Sequence, residues 1–439
     1  MQSEFQQRRQ RVLAQMVPAS AALFFSAHEQ IRSRDTQHSF HQDSDFWYLS
    51  GFNEPQALLV LIKNTQGVGS SVLFNRPRDP LAEKWEGRRL GPEAAPAQLG
   101  IDQAFSYDTV STQLVALLNQ LSTLYHAQGR YTSADQLVLM ALERLRQGKA
   151  PQWRAPVTLT DWQPWLHEMR LFKSAAELDR LRCAAKITVD AHRRAMQQCR
   201  PGLFEYHLEA EIQHEFTRQG ARYPAYNTIV GSGHHGCILH YSDNRALLQA
   251  GDLVLIDAGC SYQGYASDVT RTFPINGHFT RQQGALYDLV LQMQQVALQQ
   301  LAPGRTLGQA NQAAIEVLVP GLVRLGLLQG ESSALIANQA YREFYCHNLG
   351  HWLGLDVHDV GSYQALAQDR LLEPGMVLTV EPGLYIDPDA AVASDYQGMG
   401  IRIEDEVLIT PEGYELLTPG LPRQRSEIEA LMRSRYTLT

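Results

Sequence analysis

Two aspartates border a predicted turn in the middle of the chain. Asp257 ends the apolar run 253–256, which is typical of a buried strand, and Asp268 begins a period-two series with Thr270. If a two-residue turn is centred on residues 262–263, Asp257 pairs directly with Asp268. Two facing carboxylates repel each other, so either one is protonated or a cation binds between them. The apolar run favours burial and the cation over an exposed hairpin with solvated acids.

Three histidines, His347, His351 and His358, fall within the glycine-containing segment 346–361. Their spacings of four and seven residues are compatible with one helical face, but the interleaved glycines favour an irregular loop. A lone histidine is usually a structural or surface residue. Three in one apolar stretch favour a metal-ligand or acid–base role, although the count alone does not establish it.

Two glutamates also lie at or near the ends of apolar strands. Glu381 follows the run 377–380 directly, and glutamate at such a position is rarely buried unless it is paired. Glu404 lies in the segment 400–407, where alternation places it on one face with Arg402 and Glu406. On its own, that segment is equally well explained as a half-exposed strand with solvated ion pairs.

Taken together, these segments supply four carboxylates and one imidazole, from Asp257, Asp268, His351, Glu381 and Glu404. Two divalent cations would balance the four negative charges. Oxygen-rich ligation with one nitrogen suits Mn, Fe(II), Co or Zn. Two such ions, roughly 3.5–4 Å apart, can share a bridging water and lower its pKa from about 16 towards 7. The pattern therefore predicts a two-metal centre that provides hydroxide at neutral pH.

Composition excludes several other classes of protein. The 439 residues are 44% hydrophobic and 19% charged, and the net charge is -8, which is typical of a globular chain of two domains. There is no basic block for nucleic acid or an anionic membrane, no stretch that could span a bilayer as a helix, and no apolar signal segment. The five scattered cysteines form neither a disulfide framework nor a metal knuckle, so a cytoplasmic location is expected.

The first part of the chain has the pattern of an α/β domain. We expect helices at 5–16 and 134–146, and strands at 21–25, 46–49, 57–62 and 71–74. Three prolines fall within 148–164, so we expect a linker from there to about residue 172. Ser174 followed by Glu177 forms a capping box that begins a new helix and a second domain.

The second part combines helices with hairpin-like strands. Its apolar periodicity predicts helices at 206–218, 282–301 and 307–325, and strands at 252–257, 265–273, 377–380 and 400–409.

These motifs resemble the pita-bread metallopeptidases, the group that contains aminopeptidase P, prolidase and methionine aminopeptidase. The segments 44–55 (SDFWYLSGFNEP) and 74–79 (FNRPRD) look like the N-terminal domain of bacterial aminopeptidase P. Segments 167–174, 226–233 and 237–241 also match. The resemblance implies α/β and α+β architecture in two domains. A creatinase-like α/β domain at 1–172 would precede a catalytic pita-bread domain at 173–439.

The resemblance also implies metal ligands residue by residue. Asp257 matches a ligand of one metal, Asp268 and Glu404 match carboxylates that bridge both, and His351 and Glu381 match ligands of the second. All five are present, whereas creatinase shares the fold and lacks the metal cluster. Manganese is the expected metal.

Substrate contacts are implied in the same way. His358 is expected to contact the oxyanion or the amide nitrogen, His240 and His347 the proline side, and Glu381 to carry a proton. Arg402 is expected to brace the site, Tyr385 to lie near the substrate, and Trp85 to reach an active site, either its own or that of a neighbouring subunit.

The implied activity is removal of an N-terminal residue that precedes proline, through a hydroxide that bridges two metals. The enzyme would be a homo-oligomer, either a tetramer or a dimer. Three alternatives stay open from the sequence: a prolidase that cleaves only Xaa-Pro dipeptides, a metal-free binding protein that keeps the fold, and a creatinase-like hydrolase without metal.

Overall fold

The structure is a computed structural model and describes residues 4–148, 152–365 and 367–434. The chain forms two compact units, Met1–His167 and Glu168–Thr439.

A mixed six-stranded sheet forms the centre of the N-terminal unit. Its strands lie in the spatial order Gln103–Ser106, Gly69–Asn75, Leu58–Lys63, Ser20–Phe25, Thr123–His126 and Thr158–Thr160. The inner pairs are antiparallel and the outer pairs are parallel. Apolar side chains of the sheet pack against the helices Val110–Leu118 and Thr132–Gln147. Burial of one sheet face under amphipathic helices is what the apolar periodicity predicts.

The remaining elements of this unit are the helices Glu4–Gln15, Ser44–Ser50, Glu83–Glu86 and Ala95–Leu99, the 3₁₀ turn Tyr107–Thr109, and a hairpin of Ile31–Ser33 with Thr36–Gln37. The predicted strand at 46–49 is wrong, because this segment is helical. The side chain of Asp43 accepts a hydrogen bond from the Phe46 N–H, and Gly51 ends the helix with φ 64°. A short apolar run fits a strand or a helix equally well, and here the caps decide.

The predicted linker contains regular structure. Residues 149–151 lie outside the described residues, but Thr158–Thr160 is a strand and Gln163–Leu171 is a helix. Pro164 is the second residue of that helix, where its missing N–H costs nothing. The expected domain boundary between residues 172 and 173 stays a prediction.

Helices of the C-terminal unit agree with the predicted periodicity. They are Ala175–Gln198, Glu205–Arg218, Arg281–Gln299, Leu307–Arg324, Ser332–Ala337 and Arg425–Arg433, with 3₁₀ turns at Gly233–Cys237 and Ala340–Glu343. The predicted capping box is present, since Ser174 and Glu177 each accept a hydrogen bond from the other's backbone N–H. Within the described parts of the chain, no helix is long and apolar enough to cross a membrane.

Short antiparallel sheets pack against these helices and share one buried core with them. Three of the described sheets have three strands each: Ile229–Ser232 with Leu253–Asp257 and Thr270–Pro274, Tyr223–Pro224 with Cys260–Tyr262 and Tyr265–Ala266, and Val377–Val380 with Asp405–Thr410 and Gly413–Leu416. Two more have two strands each: Gly383–Tyr385 with Gly400–Arg402, and Gln364–Ala365 with Gln368–Asp369. The strands predicted at 265–273 and 400–409 are each interrupted once. Asp268 and Glu404 lie at the two interruptions, where the backbone leaves the regular ladder and the side chains can turn towards a common site.

Candidate metal centre

Asp257 ends the strand Leu253–Asp257 and Asp268 precedes the strand Thr270–Pro274, in a register that differs from the predicted one. The turn is formed by Gln263 and Gly264, which have φ values of 50° and 90°, and Asp257 pairs with Thr270. The predicted direct pairing of Asp257 with Asp268 is therefore wrong, because glycine places the turn one residue further along. Asp268 lies two residues before Thr270, in the interruption between the strands Tyr265–Ala266 and Thr270–Pro274, so the regular ladder does not set its direction.

Tyr226 joins the two aspartates. Its hydroxyl oxygen lies 2.5 Å from Oδ1 of Asp257 and 2.5 Å from Oδ1 of Asp268. Burial raises the pKa of Tyr226 well above its usual value, and the two carboxylates raise it further, so the hydroxyl stays protonated. Its single proton can be donated to one carboxylate at a time. No role for Tyr226 is predicted from the sequence, since the residues around it give no sign of the carboxylates that its hydroxyl meets.

His351 and Glu381 are brought together by a loop that runs beside a strand. The segment 346–361 contains no helix, as its glycines predict. Thr379 donates its N–H to the carbonyl of His351 at 2.9 Å, and its Oγ1 accepts from the His351 N–H at 3.1 Å. A Cβ on Gly350 would lie 2.0 Å from the carbonyl oxygen of Thr379, so only glycine permits this approach.

The imidazole of His351 faces two carboxylates. Its Nε2 lies 3.3 Å from Oδ2 of Asp268 and 3.4 Å from Oε1 of Glu381. Nδ1 lies 3.0 Å from the carbonyl oxygen of Trp352, an acceptor, so Nδ1–H donates to it and Nε2 is turned to the site. Burial lowers the pKa of His351, but the Asp268 hydrogen bond and the charges of Asp268 and Glu381 outweigh it and raise the pKa to about 9.

Glu404 completes the cluster from the second interrupted strand. Its Oε2 accepts a hydrogen bond of 2.7 Å from Thr270 Oγ1. One ligand atom from each of Asp268, His351 and Glu404 lies within 4.8 Å of the others. The alternative of a half-exposed strand with solvated charges is wrong, because Glu404 and Glu406 are 1% and 0% exposed.

The acids that follow Glu404 hold its surroundings in place. Asp405 forms an ion pair of 2.7 Å with Arg271, and both side chains are fully buried. Glu406 accepts a hydrogen bond of 2.9 Å from the Asp268 N–H and another from the Ser267 hydroxyl. Consecutive acids therefore point to opposite sides of the strand, and each side has its own donors.

Four carboxylates share this buried site with little compensating positive charge. Burial, and then the neighbouring carboxylates, raise the pKa of Glu404 well above its usual value. Burial raises the pKa of Glu381 to about 7 and also raises that of Asp257, against the opposing charge of Arg402. Divalent cations bind such clusters by displacing the protons. Carboxylate oxygens with one imidazole nitrogen suit Mn, Fe(II), Co or Zn, so the donors present fit the expected metals.

A chain of hydrogen bonds leads from Asp257 to His347. Arg402 donates to Oδ2 of Asp257 at 2.5 Å, to Oγ1 of Thr270 at 3.0 Å and to the Tyr385 hydroxyl at 2.8 Å. The Tyr385 hydroxyl lies 2.9 Å from Nε2 of His347. Burial lowers the pKa of His347 to about 4, so its ring is neutral at pH 7. Arg402 is thus placed to fix both a candidate metal ligand and a candidate substrate residue.

These side chains line one cavity of about 660 Å³. The described residues that line it include all five expected metal ligands, Asp257, Asp268, His351, Glu381 and Glu404. They also include the expected substrate residues His240, His347, His358 and Arg402. The ring centroids of His351 and His358 are 4.1 Å apart. Tyr385 is buried directly behind His347. Trp85 belongs to the N-terminal unit, where it lies on the helix Glu83–Glu86 and is 91% exposed.

Asp359 is a further residue of the site that sequence analysis missed. It follows His358, is buried, and accepts hydrogen bonds of 2.5 Å from Arg170 and 3.0 Å from Lys173. Burial alone raises its pKa, but these two cations outweigh burial and lower it. A Cβ on Gly354 would lie 2.1 Å from Asp359 Oδ2, so the loop is tightly closed. Arg170 and Lys173 lie in the segment 167–174, which resembles the same family, and this resemblance was the one indication in the sequence that the segment contributes to the site.

The fold and this donor set define a metallopeptidase. Residues 179–411 match metallopeptidase family M24, and residues 5–125 match the N-terminal domain of aminopeptidase P. The chain belongs to metallopeptidase family M24, and the resemblance stated from the sequence is confirmed.

Full-length relatives give the comparison more detail. The Xaa-Pro aminopeptidase of Escherichia coli K12 is 56% identical over 429 residues, which cover 98% of this chain and 97% of that protein. The human Xaa-Pro dipeptidase is 34% identical, over 91% of this chain and 85% of the dipeptidase. A zinc-substituted E. coli aminopeptidase P in complex with product has a TM-score of 0.96 and 56% identity, covering 98% and 97% of the two chains. The expected α/β domain followed by a pita-bread domain is confirmed.

Proposed function

We propose that this metallopeptidase is an Xaa-Pro aminopeptidase, which hydrolyses the bond between an N-terminal residue and a penultimate proline. The observation that carries the proposal is the convergence of four carboxylates and His351 on one cavity, which three more histidines also line. Near full-length similarity to the E. coli Xaa-Pro aminopeptidase supports the substrate class.

The cluster would hold two divalent cations, with manganese as the proposed metal. Asp257, Asp268, His351, Glu381 and Glu404 are the proposed ligands. When bound, the cations supply Lewis acidity and lower the pKa of water towards 7.

The histidines of the cavity contact the substrate. His358 is exposed to the cavity, and burial of part of its ring lowers its pKa, so the neutral ring can donate from one nitrogen. We assign it to the oxyanion or to the amide nitrogen of the scissile bond. His240 and His347 are assigned to the proline side. His347 is oriented by Tyr385 at Nε2 and by the carbonyl oxygen of Asn348, 2.7 Å from Nδ1.

Glu381 is the proposed proton carrier. Its carboxylate lines the cavity, 3.4 Å from Nε2 of His351, and a carboxylate placed there can accept a proton and release it. Its carboxylate takes a proton from the attacking water and delivers it to the departing proline nitrogen. The free α-amine of the substrate would lie beside Asp257.

Apolar side chains of the cavity favour proline in the second position. Leu239, Leu307 and Trp352 contribute to its walls, and they can contact the pyrrolidine ring while His358 hydrogen-bonds to the scissile peptide group. The Xaa-Pro bond is a tertiary amide without an N–H, so the site need not satisfy a donor there.

Product analysis tests the activity. The protein with added Mn should release the N-terminal residue from an Xaa-Pro-Yaa tripeptide, act poorly on Xaa-Ala-Yaa, and lose activity with a chelator. Cleavage confined to Xaa-Pro dipeptide would indicate a prolidase. Activity that ignores the chelator would indicate a creatinase-like hydrolase. Less than one ion per chain, with no cleavage after Mn is added, would indicate a binding protein.

Location and assembly complete the proposal. The five cysteines are free, which supports a cytoplasmic location. The exposed Trp85 supports a homo-oligomer, a dimer or a tetramer, in which this side chain reaches a neighbouring subunit's site. Light scattering on the purified protein measures the oligomer, and a monomer with full activity would contradict the role given to Trp85.

A further inference from the structure

Glu205 is a fully buried carboxylate outside the metal centre. It is the first residue of the helix Glu205–Arg218 and is 0% exposed. A buried charge is costly unless it is hydrogen-bonded or paired, so its partners indicate what it does. The described hydrogen-bond partners of its carboxylate lie in the segment 232–246, which runs from the end of the strand Ile229–Ser232 towards the strand Leu253–Asp257.

The two oxygens of Glu205 bind both halves of that segment. Oε1 accepts from the Ser232 N–H at 2.8 Å and the Ser232 hydroxyl at 2.7 Å, and lies 3.2 Å from Nδ1 of His235. Oε2 accepts from the Tyr241 hydroxyl at 2.9 Å and the Ala246 N–H at 2.8 Å. Burial raises the pKa of Glu205, but these donors outweigh it and lower the pKa, so the carboxylate is ionised.

The residues between these two anchors line the cavity. Leu239 and His240 both contribute to its wall. After Ser232, which ends its strand, and the 3₁₀ turn Gly233–Cys237, residues 238–246 have no further helix or strand. The Glu205 N–H donates to the Ala246 carbonyl at 3.0 Å, and side-chain anchors hold the rest of this stretch. The imidazole of His240 has no hydrogen bond among the described residues. Its position is therefore set by the backbone next to Tyr241.

We infer that Glu205 is a positioning residue, whose carboxylate holds the segment 232–246 so that His240 faces the metal centre. The inference rests on the proposed function, in which His240 contacts the proline side of the substrate. Asn244 anchors the same segment separately, since its Nδ2 donates to the Thr228 carbonyl at 2.9 Å and its Oδ1 accepts from the Val230 N–H at 2.9 Å. Loss of Glu205 should thus loosen the part around His240 without detaching the segment.

Glu205→Gln tests this in the full-length, manganese-loaded protein. Glutamine keeps the size of the side chain but presents an NH₂ group to donors that need an acceptor. We expect kcat/KM for an Xaa-Pro-Yaa peptide to fall about tenfold. In a protein that already carries His240→Ala, Glu205→Gln should lower kcat/KM further by less than about twofold, because Glu205 acts through His240. Metal content should be unchanged, and hydrogen exchange of residues 237–246 should accelerate.

Glu215→Gln is the matched control. Glu215 lies on the same helix, is 2% exposed, and accepts from Arg218 and Gln219 rather than from the segment that carries His240. Glu215→Gln should lower kcat/KM by the same factor with and without His240→Ala. It should leave the hydrogen exchange of residues 237–246 unchanged.

Tyr241→Phe serves if Glu205→Gln does not fold, because it removes a single donor to Oε2. Tyr241→Phe should lower kcat/KM less than Glu205→Gln does, and this fall should also disappear in the His240→Ala background. Equal losses in both backgrounds, or unchanged exchange at 237–246, would overturn the inference. If the unsubstituted protein cleaves no proline peptide, the proposed function fails, and the exchange measurement alone decides the role of Glu205.

Discussion

Arg402 places its Nη2 2.5 Å from Oδ2 of Asp257, and both side chains are buried. The same guanidinium reaches Thr270 and Tyr385. Replacing Arg402 with lysine should keep the charge but lose this forked contact, because an ammonium cannot span three separated acceptors. We expect kcat/KM to fall about 10–100-fold. Steady-state kinetics on an Xaa-Pro-Yaa peptide measures it.

Arg182→Lys is the control for that substitution. Arg182 forms a solvent-exposed pair of 2.7 Å with Glu415, and its replacement should leave the kinetics unchanged. Comparable losses in the two variants would show that Arg402 has no special part in the site.

Tyr226→Phe removes the hydroxyl shared by Asp257 and Asp268. Without it, the two carboxylates lose the group that holds them together, and we expect manganese affinity to weaken about 10–100-fold. Competition with a chelator measures the dissociation constant. Tyr287→Phe also removes a buried hydroxyl, which donates to the Arg423 carbonyl at 2.8 Å, and it should leave affinity unchanged. Equal affinity in the Tyr226 variant and the unsubstituted protein would contradict the assigned role.

The candidate metal ligands could be predicted from the sequence because charged or imidazole side chains are unusual at the ends of apolar runs and in an apolar, glycine-containing segment. Asp257 and Glu381 each end an apolar run, and the glycines around His351 correctly indicate a loop. The register of Asp268 could not be predicted, since it depends on which two residues form the turn. The helix Ser44–Ser50 was missed for a similar reason: a short apolar run has no clear period, and Asp43 and Gly51 decide the outcome.

Residues that support the ligands were harder to predict. Tyr226 and Asp359 act through contacts with segments far away in sequence, namely Asp257 and Asp268 for the first, and Arg170 and Lys173 for the second. No local spacing encodes such contacts. The buried state of Glu404 likewise depends on the strands packed around it, so its own alternating segment allowed an exposed strand.

Glu381→Gln separates proton transfer from metal binding. At saturating manganese the variant should keep its bound metal but lose about 10²–10⁴-fold in kcat, because an amide cannot carry the proton. Metal analysis and kcat are measured on the same sample. Glu373→Gln, at an exposed glutamate 3.4 Å from Arg370, should behave like the unsubstituted protein. Full activity with full metal content would remove the proton-carrier role.

Metal binding should stabilise the protein more as pH rises. The folded, metal-free site binds extra protons, since the pKa of Glu381 is raised from 4.5 to about 7 and those of Asp257 and Glu404 are also raised. The contribution of Glu381 to the free energy of unfolding is therefore fully present below pH 4.5 and is lost as pH rises through about 7. The contributions of Asp257 and Glu404 are lost in the same direction as pH rises. The pKa of His351 is raised from 6.5 to about 9, so its contribution to the free energy of unfolding is also lost as pH rises, but at higher pH.

Melting temperatures with manganese and with chelator measure this linkage. The difference between them should widen from pH 5.5 to 7.5, because protons compete with the cations at the lower pH. A constant difference would mean that the raised carboxyl groups are not the ligands.

Gly350→Ala tests the close approach that joins His351 to Glu381. The new Cβ would lie 2.0 Å from the Thr379 carbonyl oxygen, so the loop must move away from the strand that ends at Glu381. We expect a loss of about 1–3 kcal/mol in the free energy of unfolding and weaker manganese binding. Gly420→Ala is the control, because its Cβ would meet only a methyl group of Val189, at 3.4 Å. If Gly350→Ala binds manganese as tightly as the unsubstituted protein, His351 does not depend on this contact, and the loop is not what places it among the carboxylates.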